Sequence, residues 1–168
     1  MSTLILNADA QPTNFLPLSV ISWQEAIRYI VLDRARVLVY YDDWKVSSPS
    51  WETPVPAVVI LKEYQKPKKQ ARLTKRNVYL RDNFICQYCG IKVDQKLASI
   101  DHVIPVCMGG KNRWENLTTA CRKCNSHKSS KLIKPSCMPY RPDYWELVAK
   151  RKKMGYEIKH PSWLDFIS

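Results

Sequence analysis

Two Cys-x-x-Cys pairs constrain this chain more than any other feature of its sequence. Cys86 and Cys89 form the first pair, and Cys121 and Cys124 form the second. A tight turn can aim both thiolates of a pair at one ion, and two pairs complete the tetrahedral four-sulfur site that structural zinc prefers. A redox-active pair and an iron–sulfur cluster are alternatives, but the spacing favours zinc.

The positive charge of the chain is concentrated around these pairs. Over 168 residues there are 27 Lys and Arg against 15 Asp and Glu, a net charge of +12. Residues 63–134 contain 16 basic and 5 acidic residues, a net charge of +11, whereas residues 1–62 have −1 and residues 135–168 have +2. A solubilising surface would explain excess charge alone. Its overlap with the cysteine pairs favours a nucleic-acid partner, because neutralised phosphates release counterions.

The pattern of apolar residues predicts three segments. Residues 1–62 should form a small α/β segment, residues 63–134 a metal-stabilised module with a basic arm, and residues 135–168 a tail with one helix. The predicted helices are 23–32, 75–82 and 143–154, and the predicted strands are 4–6, 37–41 and 55–61. Ser22 and Thr74 stand where N-caps of the first two helices should be.

The location of the protein is predicted from what its sequence lacks. No apolar run approaches the roughly 20 residues that span a bilayer, so we expect no membrane association. The sequence begins without a basic region followed by a long apolar stretch, so we expect no secretory signal and an intracellular, cytoplasmic protein. In a reducing compartment, cysteines act as metal ligands or free thiols more often than as disulfides.

The residues between the pairs include groups suited to phosphodiester hydrolysis. This reaction requires an activated water, a cation beside the phosphate and stabilisation of the leaving oxygen. Asp101 and His102 are adjacent on a predicted strand, so their side chains should point to opposite faces. One can then bind a metal ion while the other meets water.

Taken in order, several short motifs resemble the HNH endonuclease superfamily, and most closely its four-cysteine branch of bacterial and phage proteins. These motifs are CQYCG, DHVIP, GG, WENL and TACRKCN followed by a lysine. The resemblance is dense over residues 74–131, and NADAQP, SWQEAI and VPAVVIL resemble the leader of such proteins. It implies an α+β fold with a zinc-stabilised ββα-metal core of treble-clef type, between the small α/β segment and the helical tail. It also implies a bacterial or phage-infected cell.

The resemblance implies a role for each polar residue of the strip. His102 would be the general base that takes a proton from water. Asp101 and Asn125 would hold a divalent cation, Mg²⁺ or Mn²⁺, which prefers oxygen ligands. Asn116 would bridge the backbone of the long loop and hold His102 in place. His127 completes a literal H-N-H, but on a helix it lies about 200° around the axis from Asn125, so it should face DNA or solvent rather than the metal.

Basic residues are the candidate contacts to nucleic acid. Lys128 follows Asn125 by three residues on the helix that we expect Asn125 to open, and it is the candidate for a phosphate contact near the metal. The other candidates are Lys68, Lys69, Arg72, Lys75, Arg76, Lys111, Arg113, Arg122 and Lys123. Val106, Cys107 and Met108 depart from the family pattern, because many relatives have polar or basic residues there that can contact phosphate.

These observations predict a metal-dependent endonuclease or nickase that hydrolyses double-stranded DNA, with structural zinc and catalytic Mg²⁺ or Mn²⁺. The alternative is a non-catalytic zinc protein that only binds nucleic acid. A binder would not need Asp101 beside His102, because an acid near a phosphate weakens binding unless a cation lies between them. A zinc-dependent interaction protein would explain the cysteines but not the localised charge. The sequence leaves the oligomeric state open, with a homodimer as one option.

Overall fold

The computed structural model describes residues 2–49, 51–67 and 69–167, and the chain divides into two units. The first unit combines Met1–Lys69 with Gly155–Ser168, and the second unit is Gln70–Met154. The predicted α+β class is confirmed, since each unit packs helices with a small sheet. Within the described residues, no helix has the length and apolar character needed to cross a membrane.

A four-stranded sheet forms the centre of the first unit. Its strands are β1 (Ser2–Leu6), β2 (Val20–Ser22), β3 (Ala35–Ser48) and β4 (Trp51–Leu61). They lie in the order β2-β1-β4-β3, with β1 parallel to β4 and the other pairs antiparallel. The three predicted strands are confirmed, but β3 and β4 extend further than their apolar runs. The added residues are mostly exposed, so hydrophobic patterning could not mark them.

One helix and the C-terminal stretch cover this sheet. Helix α1 (Trp23–Val31) begins after Ser22, whose Oγ accepts a hydrogen bond from the Glu25 backbone at 3.2 Å, so the predicted cap is confirmed. Ala26 is the buried residue of α1 and packs in a cluster with strand residues of β1 and β4. Near the C-terminus, Trp163 is fully buried and its indole N–H donates to the Ala57 carbonyl at 2.9 Å.

The second unit contains a β-hairpin between helices. Its elements are α2 (Lys75–Arg81), β5 (Ala98–His102), β6 (Leu117–Cys121), α3 (Arg122–Lys128) and α4 (Tyr144–Met154). Strands β5 and β6 are antiparallel, and α4 packs against α2. Thr74 caps α2 by accepting the Asn77 backbone N–H at 3.2 Å. The helices predicted at 75–82 and 143–154 are therefore confirmed to within one residue.

The start of α3 corrects one prediction. Asn125 was expected to open this helix, but the helix begins three residues earlier, at Arg122. The reason is that Cys121 acts as the N-cap, and its Sγ accepts the backbone N–H of Cys124 at 3.4 Å. The second cysteine pair therefore starts the helix, and Asn125 lies in its middle.

A buried arginine joins the parts of the second unit. Arg81 donates to the carbonyls of Trp114, Leu117 and Tyr140 at 2.9, 2.7 and 2.9 Å. It also pairs with the carboxylate of Asp82 at 2.8 Å. Its charge is thus fully partnered in the interior, as a buried guanidinium requires. In the sequence, Arg81 is only one residue of the basic excess, and no local pattern predicts this role.

Candidate active site and metal centre

The four paired cysteines form one cluster in the second unit. The sulfur atoms of Cys86, Cys89, Cys121 and Cys124 all lie within 4.8 Å of one another, and the sulfurs of Cys89 and Cys121 are 3.9 Å apart. Zinc–sulfur bonds of about 2.3 Å in a tetrahedron would put the sulfurs about 3.8 Å apart. The donor set and spacing therefore fit a tetrahedral ion, and the cluster suggests structural zinc.

Local backbone structure aims each pair at this point. In the first pair, the Cys86 backbone N–H donates to Ile91 at 2.9 Å and the Gly90 N–H donates back to Cys86 at 2.9 Å. Gly90 has a φ of 75°, a conformation that favours glycine and closes the turn. In the second pair, the first turn of α3 brings Cys124 back toward Cys121.

The ionisation of the four thiols bears on whether a cation would suit this cluster. Burial raises the pKa of Cys124 to about 12, with hydrogen bonds to the other three sulfurs adding to the effect. Burial also raises the pKa of Cys86, but backbone hydrogen bonds from Cys121, Tyr88 and Cys89 outweigh it and bring that pKa to about 7. With its pKa raised, Cys124 keeps its proton in the absence of a metal, and holding all four residues as thiolates would require a compensating positive charge, which a divalent metal would supply.

Strand β5 sends its last two side chains in different directions. Asp101 is buried and lies opposite Thr118 in the hairpin, whereas His102 is half-buried and lies opposite Leu117. Successive residues of a strand point to opposite faces, so the two groups occupy different environments. The structure thus places one group in the interior and the other where solvent can reach it.

The carboxylate of Asp101 is held by the side chains of Lys128 and Tyr88, two contacts that no sequence pattern predicts. The Lys128 ammonium lies 3.2 Å from one carboxylate oxygen and 3.1 Å from the other, and it also donates to the His102 carbonyl at 2.7 Å. The Tyr88 hydroxyl donates to the same carboxylate. Burial, the hydrogen bond to Asp101 and its negative charge raise the pKa of Tyr88, so the hydroxyl keeps its proton and continues to donate.

Asp101, His102 and Asn125 line one cavity of about 260 Å³ at the surface of the second unit. Both hydrogen bonds that described residues make with the Asn125 side chain use its amide nitrogen, which donates to Ser99 Oγ at 3.1 Å and to the Ile100 carbonyl at 3.4 Å. This leaves the amide oxygen of Asn125 as its atom for a cation. Three of the four residues that the sequence singled out for catalysis, all except Asn116, therefore line the same cavity.

The long loop between β5 and β6 is organised by Asn116. Its amide oxygen accepts the Ile104 N–H at 2.8 Å, and its amide nitrogen donates to the carbonyls of Ile104 and Lys111, both at 3.1 Å. The Asn116 backbone carbonyl also accepts the Val103 N–H at 2.9 Å. Asn116 thus fixes the chain directly after His102, and its contribution to catalysis stays a prediction.

Among the residues that the structure describes, the imidazole of His102 has one side-chain partner. Its Nε2 lies 2.7 Å from the amide oxygen of Asn112, in the same loop. An amide oxygen only accepts, so Nε2 carries the proton and the lone pair lies on Nδ1. The sequence offered no signal for Asn112, because its contact depends on how the loop folds back.

Nine of the ten basic candidates lie among the described residues, and these nine fall into two groups. Lys128 is 1% exposed and is occupied by its contacts to Asp101 and His102, so a direct phosphate contact would require that pair to open. Lys68 lies outside the described residues. The remaining eight are exposed: Lys69, Arg72, Lys75, Arg76, Lys111, Arg113, Arg122 and Lys123. His127 is exposed on α3 as well.

Two protein-family models match this chain, one in each unit. The family model described as "HNH endonuclease-associated, N-terminal domain" matches residues 3–69, and the model described as "HNH endonuclease" matches residues 86–140. A CRISPR-associated endonuclease Cas9 from Corynebacterium diphtheriae is 33% identical over 66 residues, which is 39% of this chain. The chain spans only 6% of the length of that relative.

The two family matches cover consecutive parts of the chain, and the second contains the cysteine cluster and the cavity lined by Asp101, His102 and Asn125. Residues 86–140 therefore form an HNH endonuclease domain, with the four clustered cysteines as its candidate zinc site, and residues 3–69 match the N-terminal domain associated with such endonucleases.

Proposed function

We propose that this protein is a metal-dependent endonuclease that hydrolyses DNA phosphodiester bonds, by nicking or by double-strand cleavage. The observation that carries the proposal is that Asp101, His102 and Asn125 line the same cavity. A base, a carboxylate and an amide oxygen around one cavity are the groups that metal-assisted hydrolysis needs.

His102 is the general base of this proposal. With Nε2–H engaged by the Asn112 amide oxygen at 2.7 Å, the Nδ1 lone pair can accept a proton from an attacking water. The half-buried position of His102 allows water and a phosphate to approach. Asn116 would act indirectly, by fixing the backbone that follows His102.

Asp101 and Asn125 are the proposed ligands of a catalytic divalent cation. Their donors are a carboxylate and an amide oxygen, which fit Mg²⁺ or Mn²⁺ better than a soft metal. Such an ion, when bound, would supply positive charge to the scissile phosphate and the leaving oxygen. The Lys128 ammonium now neutralises Asp101, so the ion must displace or share that contact.

The proposed substrate is double-stranded DNA, with exposed basic residues such as Arg122 and Lys123 of α3 contacting the phosphate backbone. The four clustered thiols are suited to zinc in a reducing, intracellular compartment. Double-strand cleavage would need either a homodimer or two successive nicks.

A plasmid assay tests the proposal. Zinc-loaded protein incubated with supercoiled plasmid and Mg²⁺ or Mn²⁺ should give nicked or linear product, and EDTA should stop the reaction. His102→Ala should retain zinc and DNA binding but lose cleavage by a factor of about 10² to 10⁴, the usual contribution of a general base. His127→Ala, which removes the other histidine of the HNH domain, should still cleave.

The outcomes separate three assignments. Cleavage by His102→Ala at the wild-type rate would remove His102 as the base. If His127→Ala lost cleavage while His102→Ala kept it, His127 would occupy the third position of the HNH motif. DNA binding by wild-type protein with no cleavage under any divalent cation would favour the alternative, a zinc-dependent nucleic-acid-binding protein.

A further inference from the structure

An exposed apolar tip stands at the rim of the catalytic cavity, and we propose that it contacts the bases of DNA whose stacking is disrupted at the cleavage site. The tip consists of Ile104, Val106 and Met108, which are 48, 65 and 53% exposed. The inference rests on the proposed function and names the class of substrate that this site would prefer.

The tip is continuous with the proposed reacting centre. Val106 lines the cavity together with Asp101, His102 and Asn125. A substrate placed with a phosphate in that cavity would therefore bring its sugar and base toward the tip. Phosphate is charged and hydrated, so the apolar surface suits the base rather than the backbone.

The tip is held rigidly by the loop beneath it. Residues 106–108 form one turn of 3₁₀ helix, in which the N–H groups of Met108 and Gly110 both donate to the Pro105 carbonyl, at 2.9 and 3.0 Å. A Cβ at Gly110 would lie only 1.8 Å from the Ile104 carbonyl oxygen, so this close approach requires glycine. The side-chain hydrogen bonds of Asn116 to Ile104 fix the same backbone.

A fixed backbone allows the tip to present its apolar side chains to unstacked bases. A mobile loop could fold its apolar side chains away from water, whereas this backbone keeps three of them exposed. Proteins that insert apolar side chains between base steps use Phe, Leu, Ile, Met or Pro, and they must supply the cost of unstacking. A substrate that is already unpaired avoids that cost, so the tip should favour it.

The charge around the tip favours nucleic acid over a second protein as its occupant. Lys111 and Arg113 follow the tip in the loop and are exposed. Residues 63–134, which include the tip, have a net charge of +11. An apolar rim flanked by exposed cations fits a base together with the phosphates on either side of it. A protein partner or a second copy would need a complementary, acidic surface.

The test compares two duplexes of equal length and charge, one fully paired and one with three unpaired positions at its centre. Zinc-loaded wild-type protein with Mg²⁺ or Mn²⁺ should cut the second about ten times faster or more, beside the unpaired patch. In Val106→Thr/Met108→Gln, which keeps shape but adds polarity, this ratio should fall to near one. Met108→Leu should keep the preference. Met154→Gln, the same change at a residue of α4 that is 54% exposed and does not line the cavity, should behave as wild type.

A binding readout separates this inference from the proposed function. A duplex with 2-aminopurine beside the unpaired patch should brighten when wild-type protein binds without a divalent cation, and brighten less with the double variant. If this difference appears but neither duplex is cut, the base-contacting tip stands and the nuclease proposal fails. If both duplexes are cut but the double variant keeps the preference and the fluorescence change, the inference is overturned. A wild-type dimer that the double variant converts to a monomer would also overturn it, by making a second copy the occupant.

Discussion

Lys128→Met removes the ammonium group that neutralises Asp101 inside the second unit, and we expect this variant to be markedly less stable. Lys128 and Asp101 are 1 and 5% exposed, and the ammonium contacts both carboxylate oxygens and the His102 carbonyl. Removing one partner of a buried pair typically costs about 3–5 kcal/mol, because the other charge remains without compensation. Asp101 keeps the hydrogen bond from Tyr88, which favours the lower value, about 3 kcal/mol.

The magnitude can be measured as a melting temperature. For a chain of this size, about 3 kcal/mol corresponds to a decrease of roughly 6–12 °C. The measurement uses zinc-loaded protein in buffer freed of other divalent cations. Lys131→Met removes the same charge from an exposed position three residues further along the chain, and it should shift the melting temperature by less than about 2 °C.

A double-mutant cycle refines this prediction. Asp101→Asn combined with Lys128→Met removes both charges, so the combined cost should be about 2–3 kcal/mol less than the sum of the single costs. Two results would refute the buried ion pair. One is that the stability losses of the two single variants add up to that of the double variant, and the other is that Lys128→Met is as stable as Lys131→Met.

The same variant tests competition for Asp101. Without the ammonium, a divalent cation has no competitor at the carboxylate, so Lys128→Met should bind Mg²⁺ or Mn²⁺ more tightly than wild type. Cation at 100 times its dissociation constant should restore about 2.7 kcal/mol of stability to the variant. An equal effect of the cation on both proteins would show that the ammonium and the metal do not share Asp101.

Two further predictions concern the cysteine cluster and the general base. Elemental analysis should find one zinc per chain, and a folded, metal-free protein would contradict the zinc assignment. Cys121→Ser removes both a ligand and the side-chain cap of α3, so it should unfold the second unit, whereas Cys107→Ser should not. Asn112→Ala should slow cleavage by roughly 10- to 100-fold without weakening DNA binding. Asn112→Asp keeps an acceptor for His102 and should retain most activity. Wild-type cleavage rates in both variants would show that Asn112 does not position His102.

Local patterns were sufficient to predict most elements of the fold and the metal cluster. The caps at Ser22 and Thr74 act within one helical turn, so their residue types and spacing determine the outcome. The same holds for the cysteine pairs, in which three-residue spacing brings two sulfurs together. Strand β3 exceeded its prediction because its second half is exposed and has no continuous apolar pattern.

Partners that meet through the tertiary fold could not be predicted. Lys128 lies 27 positions from Asp101 and Asn112 lies ten from His102, and neither spacing follows a helix or strand period. Lys128 was therefore expected at a phosphate, since its position beside Asn125 was the only local information. Arg81 shows the same limit, because only the folded unit reveals the three carbonyl groups around it.

These buried pairs also affect the distinction between an enzyme and a protein that only binds nucleic acid. Asp82 and Asp101 are two of the five acids in residues 63–134, and both are neutralised within the unit by Arg81 and Lys128. Asp101 therefore repels an approaching phosphate much less than its sequence position suggests, even without a divalent cation. The presence of Asp101 alone then does not count against a pure binder. The case for an enzyme then depends on His102 and on the cavity that it shares with Asp101 and Asn125, because the orientation of His102 by Asn112 is not needed to bind a phosphate through charge. DNA binding and cleavage should accordingly differ in their need for Mg²⁺ or Mn²⁺, with only cleavage depending on it.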